Sequence, residues 1–201
     1  MRRIPVVPTL VVALAVAAMV ALGLWQLLDR KPQKEAFLAQ LAANPQRPPI
    51  AFPRVPDDAL LFRRSGAFCL EPVAITRAGA GAAGFRLIAQ CRTGAEGPGV
   101  RIQIGTTRNP NGASAWRGGD VTGWIAHAPD ARPLIAKVGA TAPAELMLVA
   151  DRPAPGLNAN APPDIASVPN NHLAYAVQWF LFAGVAAIIY AVALWRRQQA
   201  E

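Results

Sequence analysis

Residues 165–195, IASVPNNHLAYAVQWFLFAGVAAIIYAVALW, run for 31 positions without a charged side chain. At the other end, residues 4–28, IPVVPTLVVALAVAAMVALGLWQLL, do the same for 25 positions. About 20 apolar residues cross a hydrocarbon core as a helix, so each end can span a bilayer once. Residues 1–28 and 173–201 hold five charges, Arg2, Arg3, Arg196, Arg197 and Glu201, while the other 27 charges of this 201-residue chain lie between them. A soluble domain has about 25% charged residues, and this chain has 16%. The distribution argues against a purely soluble protein and against a transporter of many spans. It leaves a membrane-anchored protein with one modest extramembrane domain.

In the first run, Pro5 and Pro8 stand near the start of a helix, where missing N–H donors cost little. A cleavable signal peptide is the rival reading, because Ala15-Val16-Ala17 offers an A-x-A site. The apolar stretch continues through Leu28, which suits an anchor better. Basic residues around this span are nearly balanced, with Arg2 and Arg3 before it and Arg30, Lys31 and Lys34 after it. The second span decides orientation. Residues 153–172 contain no Lys or Arg, and Arg196-Arg197 follow the span directly. The positive-inside rule then places both termini in the cytoplasm and the central domain outside, in the periplasm if the membrane is the bacterial inner membrane.

The expected order is a cytoplasmic N-terminus (1–8), a first span (9–28), a helical exit and Pro-rich linker (29–56), a β-rich domain (57–152), a Pro-rich return linker (153–171), a second span (172–195) and a cytoplasmic tail (196–201). The exit helix is expected to be interrupted or capped near Pro32. Within the domain, β-prone runs at 60–68, 72–77, 84–92, 99–106, 120–126 and 145–150 are separated by turn residues. Residues 85–88 and 100–104 alternate polar and aliphatic side chains at the period of a strand. The fold class is a membrane protein with two transmembrane helices packed as a hairpin and flanking a small antiparallel β-rich (α+β) domain.

Cys69 and Cys91 are the only cysteines, one on each side of the turn-rich segment 78–84. An oxidising compartment favours a disulfide, and neighbouring antiparallel strands would bring the two together. Free structural thiols and a metal or redox site are the alternatives, the latter weak without a C-x-x-C.

Several motifs fail on context. Gly79-Ala80-Gly81-Ala82-Ala83-Gly84 matches G-x-G-x-x-G, but a dinucleotide site needs a helix next and an acidic residue about 20 positions on. A strand follows instead, so a hairpin loop is the better reading. Asp57-Asp58 reads as a solvated turn, and His127 as a surface or structural residue. No serine stands in a G-x-S-x-G elbow, and no catalytic constellation points to an enzyme. The net charge of +8 comes from scattered arginines. It fits a solvated surface with some attraction to lipid headgroups rather than nucleic acid.

One constellation remains. Asn170-Asn171-His172 opens the second span, with an Asn able to cap the helix and His172 in its first turn. At 100° per residue, Tyr175, Ala176, Trp179, Ala183 and Tyr190 share a face with His172. Val177, Leu181, Ile188 and Val192 lie opposite, suited to lipid. On the first span Ala18, Ala21 and Trp25 share a stripe, and small residues of this kind let helices approach. Trp25 and Gln26 then lie near the level of His172, as candidate cofactor-binding residues beside it. A neutral imidazole at a membrane interface can ligate haem iron. Trp179, Tyr175 and Trp25 offer flat apolar surface to a porphyrin, and Arg30 and Lys34 suit its propionates. The plain alternative is an aromatic belt with a polar helix cap.

Gly23-x-Trp25-Gln26-x-x-x-Arg30-x-x-x-Lys34, together with Asn170-Asn171-His172-x-x-Tyr175-Ala176-x-x-Trp179-Phe180, resembles the surfeit locus protein one family, assembly factors for haem-copper cytochrome c oxidase. The two-span topology and domain size match over nearly the whole chain. The resemblance implies an outer β-rich domain, no enzymatic activity, and a role in delivering or stabilising haem a as the catalytic subunit of the oxidase matures. It implies haem a as a transient cofactor, with His172 matching the histidine that ligates its iron in bacterial members. It also implies partnership with the catalytic subunit and the haem a synthesis machinery. An assembly scaffold that binds the oxidase subunit but no haem is the alternative. The outer domain departs from the family's Arg-Gly-Trp motif. Ile102-Gln103-Ile104-Gly105-Thr106-Thr107-Arg108 stands at the comparable place without a tryptophan, and Trp116-Arg117-Gly118-Gly119 has similar residues in another order.

Overall fold

The computed structural model describes residues 5–95, 99–130 and 144–200. Arg2, Arg3 and Glu201, used above in weighing charge and orientation, lie outside them. The chain divides into two compact units, Met1–Leu38 with Val168–Glu201, and Ala39–Ser167.

In the first unit, α1 (Val6–Trp25) passes into a wide π turn (Gln26–Arg30), and α2 (Lys31–Ala43) continues the helix. The Lys31 N–H bonds the Gln26 carbonyl, five residues back. Pro32 explains the irregularity. It has no N–H to donate, and its ring crowds the carbonyl four residues earlier. The expected interruption is therefore a widened turn just ahead of the proline, and the helix resumes at once. The last helix, α3 (His172–Ala200), begins where the Asn171 carbonyl accepts the Tyr175 N–H at 3.0 Å. Both long helices are apolar enough to cross a membrane, and few of their side chains are fully buried. They fit a membrane protein.

The second unit is built on one mixed sheet of seven strands. These are β1 (Ile50–Ala51), β2 (Arg64–Cys69), β3 (Glu71–Gly79), β4 (Phe85–Arg92), β5 (Val100–Thr107), β6 (Gly119–His127) and β7 (Leu146–Ala150). They lie in the order β1-β2-β6-β7-β5-β4-β3. The last six coincide with the β-prone runs, whereas β1 falls in a segment expected to be linker. Most neighbours are antiparallel, but β1 runs parallel to β2 and β7 parallel to β5. The reason is topological. β7 inserts between β5 and β6, so it cannot oppose both of these antiparallel neighbours, and alternation in the sequence carries no information about who the neighbour is.

Leu70 alone separates β2 from β3, and its N–H bonds the Arg92 carbonyl at 2.8 Å. β2 pairs with β6 while β3 pairs with β4, so a single bent segment joins the sheet's two sides and curls it round a core. Alternate residues of three strands supply that core: Leu87, Ala89 and Cys91; Val100, Ile102 and Ile104; Leu148 and Ala150. β7 is buried on both faces, as a central strand should be, with Met147 and Val149 packing beside Ile88 on the opposite side. Cys69 and Cys91 form a disulfide that ties β2 to β4 at the bend.

The Pro-rich segments are part of the unit and do more than link it to the spans. Asn44, buried, donates to the carbonyls of Ala59 and Leu61 at 2.7 and 2.8 Å. On the return path Asn158 exchanges two backbone bonds with Thr106, and the Ala154 N–H bonds Ile104. Gly105 permits this close approach. A β-carbon there would stand 2.7 Å from that of Leu157.

Candidate functional site

The two long helices run antiparallel, because Thr9 meets Tyr190, Gly23 meets Phe180 and Gln26 meets His172. Along α1 the residues shielded from solvent are Thr9, Val12, Val16, Met19 and Gly23, and Gln26 follows at the same three-and-four spacing. On α3, from His172 to Tyr190, they are His172, Ala176, Trp179, Phe180, Ala183, Ala186 and Tyr190. That spacing keeps one seam facing a partner helix. The small-residue stripe expected on α3 is present, with Ala176 and Ala183 only 1% and 4% exposed. Val177, Leu181, Ile188 and Val192 are exposed on its other side.

The stripe expected on α1 is corrected. Ala18, Ala21 and Trp25 are exposed, and the seam runs through the neighbouring face. Uniformly apolar composition gives a span no polar side by which to set its rotation, so steric fit decides. Gly23 provides that fit by taking the ring of Phe180.

At the far end of the seam the Thr9 hydroxyl donates to the Pro5 carbonyl at 2.8 Å. Its single hydrogen is thereby used, so the Tyr190 hydroxyl is the donor in the 2.6 Å bond between the two side chains. At the near end, His172 Nδ1 lies 2.8 Å from Gln26 Oε1. A carboxamide oxygen only accepts, so Nδ1 carries the hydrogen, and in a neutral imidazole that leaves the lone pair on Nε2. Nε2 has no hydrogen-bond partner among the described residues. Close by in sequence, Asn170 Oδ1 is buried without a partner among them.

Around this pair the other expected residues divide. Trp25, 47% exposed, carries the Arg30 guanidinium 5.3 Å from its ring centroid. Lys34 sits 5.2 Å over Phe37. Neither cation forms an ion pair among the described residues, whereas the adjacent Lys31 pairs with Glu35 at 2.8 Å and Asp29 accepts from Gln33. Tyr175 is half exposed, and Trp179 stands edge-on to Phe182 with centroids 6.2 Å apart. His172 and Gln26 are thus brought into contact, while Trp25, Tyr175, Arg30 and Lys34 remain accessible outside the seam. In donor chemistry this set suits an axially ligated haem, with an imidazole nitrogen, partly exposed aromatic side chains and two cations without a carboxylate partner among the described residues.

Among the described residues the second unit contains no comparable grouping. His127 Nε2 pairs with Asp58 at 2.8 Å on the surface, and Asp57 caps the Ala59 N–H, so both are structural. The glycine-rich segment is a hairpin loop, with Ala80 and Gly84 bonded across it and Gly81 and Gly84 at positive φ. Two cavities, of about 290 and 530 Å³, have no His, Cys or Ser in their linings. Among the described residues no group of three His, Cys, Asp or Glu is placed to hold a metal ion. Trp116, from the displaced motif, packs against the main core.

Sequence reasoning overlooked the π turn, the contact of Gly23 with Phe180 and the pairing of Thr9 with Tyr190. Gly23 and Phe180 both stood inside the quoted motifs, and a glycine among bulky aliphatics was the available signal. No curated protein matches the chain significantly. The family model described as the SURF1 family matches residues 13–184. The chain belongs to the SURF1 family, a family associated with cytochrome c oxidase assembly.

Proposed function

We propose that this chain is a non-enzymatic assembly factor that binds haem a at the outer end of its helix pair and holds it for the catalytic subunit of cytochrome c oxidase. The bond between His172 and Gln26 carries the proposal, because it leaves Nε2 as a neutral donor at the mouth of the seam. When bound, haem a would supply the iron that this nitrogen ligates. Trp25, Tyr175 and Trp179 offer apolar faces to the ring, and Arg30 and Lys34, free of carboxylate partners among the described residues, suit its propionates. A carrier must bind well enough to protect and loosely enough to release, and one protein ligand on a half-open surface meets both demands.

The protein sits in the bacterial inner membrane in this reading, surrounded by lipid, with both termini cytoplasmic and the sheet domain periplasmic. The absence of Lys and Arg from residues 153–172, against Arg196-Arg197 beyond the span, supports that orientation. A disulfide in the sheet domain accords with an oxidising compartment. The haem a synthesis machinery is the expected donor.

The test is co-expression of the full chain with haem a synthesis, purification in mild detergent, and a Soret spectrum beside that of His172→Ala. Wild type is expected to carry haem and the variant to lose it. A wild type without haem, or a variant that carries as much, overturns the proposal. Oxidase maturation that fails with no difference in haem points instead to a scaffold that binds the oxidase subunit alone.

A further inference from the structure

We infer that Gln26 is a positioning residue that selects the tautomer of His172, acting on haem through the imidazole and not by touching the ring. The inference rests on the proposed ligation by His172 and assigns the residue that makes it possible. A neutral imidazole has two tautomers, and only the form protonated at Nδ1 presents Nε2 as a ligand. An imidazole with no partner populates both. Here the Gln26 carboxamide oxygen stands 2.8 Å from Nδ1 and accepts its hydrogen, which favours the ligating form before any iron arrives.

Three features hold Gln26 to this task. It continues the α1 seam three residues after Gly23, so its side chain meets α3. The contact of Gly23 with Phe180, one turn away, sets how closely the helices approach beside the bond. The π turn starts at Gln26 itself, whose carbonyl accepts from Lys31. Wide turns of this kind recur at functional positions. A carboxamide in a largely apolar seam is costly unless it is bonded, and this bond occupies the Gln26 oxygen and the His172 Nδ1. A hydrogen bond to the distal nitrogen of a metal-bound histidine fixes ring orientation and raises its basicity, and losing it commonly weakens binding about 10–100-fold.

His127 is the only other histidine, so ¹⁵N-histidine spectra of the full chain in detergent micelles contain two rings. They are assigned with His172→Ala and recorded near pH ~8, where an ordinary imidazole is neutral. Wild-type His172 is expected to show a protonated Nδ1 and an unprotonated Nε2. Gln26→Met keeps the length but removes the acceptor, so its spectrum should shift toward a mixture. Gln26→Glu should restore the wild-type pattern. In haem-loaded protein, Gln26→Met should release haem to apomyoglobin about 10–100-fold faster than wild type, with Gln26→Glu restoring retention and lowering the reduction potential. A wild-type His172 protonated at Nε2, or a Gln26→Met spectrum equal to wild type, overturns the inference. So does unchanged haem release in Gln26→Met. The tautomer measurement needs no haem. If wild type binds none, the proposed function falls while the spectra still judge the pairing.

Discussion

Gly23 of α1 is seated directly against the ring of Phe180 on α3. A β-carbon at position 23 would stand 2.7 Å from Cε1 and 2.9 Å from Cζ of that ring. The two residues set the separation of the helices one turn from the bond between Gln26 and His172, so helix packing and that hydrogen bond are coupled at this end of the seam.

Gly23→Ala is accordingly expected to displace the Phe180 ring and destabilise the helix pair by about 1–3 kcal/mol, the usual cost of overpacking. It should also weaken the pairing of His172 with Gln26, although neither residue is changed. Combining it with Phe180→Leu should recover part of both losses. Denaturant titration in detergent and the His172 ring spectrum check this. A Gly23→Ala protein equal to wild type in both would show that the ring moves aside freely.

At the opposite end, Tyr190 donates to Thr9 across the seam at 2.6 Å. Hydrogen bonds between membrane helices average about 0.6 kcal/mol, so Tyr190→Phe and Thr9→Val should each cost about that much. The double variant should cost little more than either alone. A thermodynamic cycle in micelles measures the coupling, and strictly additive losses would show that the bond contributes nothing.

The disulfide between Cys69 and Cys91 joins residues 22 apart in sequence at the bend that curls the sheet. Closing a loop of that size restricts the unfolded chain and is worth about 2–4 kcal/mol. Replacing both cysteines by alanine should lower the stability of the sheet domain by that amount while leaving its strands paired. Thermal unfolding of the full chain, with and without reductant, reads the difference. Equal midpoints for wild type and variant would remove the bridge from any account of stability.

Asn160 clamps the parallel junction of β5 and β7. Its Nδ2 donates to the carbonyls of Gln103 and Ala150 at 3.0 and 2.9 Å, and its Oδ1 accepts from the Gln103 side chain at 2.7 Å. Gln103 is buried, so Asn160→Ala strands a polar side chain and two carbonyls. The expected loss is about 2–4 kcal/mol, with amide exchange accelerated first around Ile102 and Leu148, which pair across the same junction. Exchange that quickens uniformly over the whole sheet, or nowhere, would contradict a local clamp.

Much of the architecture was legible from residue order. The two apolar runs became α1 and α3, and six β-prone runs became β2–β7. The small face of α3 was legible because Ala176 and Ala183 follow His172 at helical spacing. The matching face of α1 was not. Alanines are spread around that helix and their order singles out no face, whereas Gly23, at its close contact with Phe180, lies on the face that meets α3. Proline content misled at both ends of the sheet domain. Residues 44–56 and 153–160 resemble linker in composition, yet they supply β1, Asn44 and the strand-like pairing of Asn158 with Thr106.

The candidate site divides along the same line. His172, Gln26 and the exposed aromatics were recognisable by type and place. That Gln26 accepts from Nδ1 became visible only with both helices in position.

By itself the sequence determined that there are two helices apolar and long enough to cross a membrane, one intervening sheet domain and a histidine at the start of the second helix. Partition into hydrocarbon depends on composition summed over a helix length, and a strand's buried face on alternation over a few residues, so both are local properties. Tertiary structure decided which face of α1 meets α3, that β7 lies between β5 and β6, and which nitrogen of His172 bonds Gln26. Each of these depends on steric fit or on a hydrogen bond between residues far apart in the chain, and local periodicity does not record such partners.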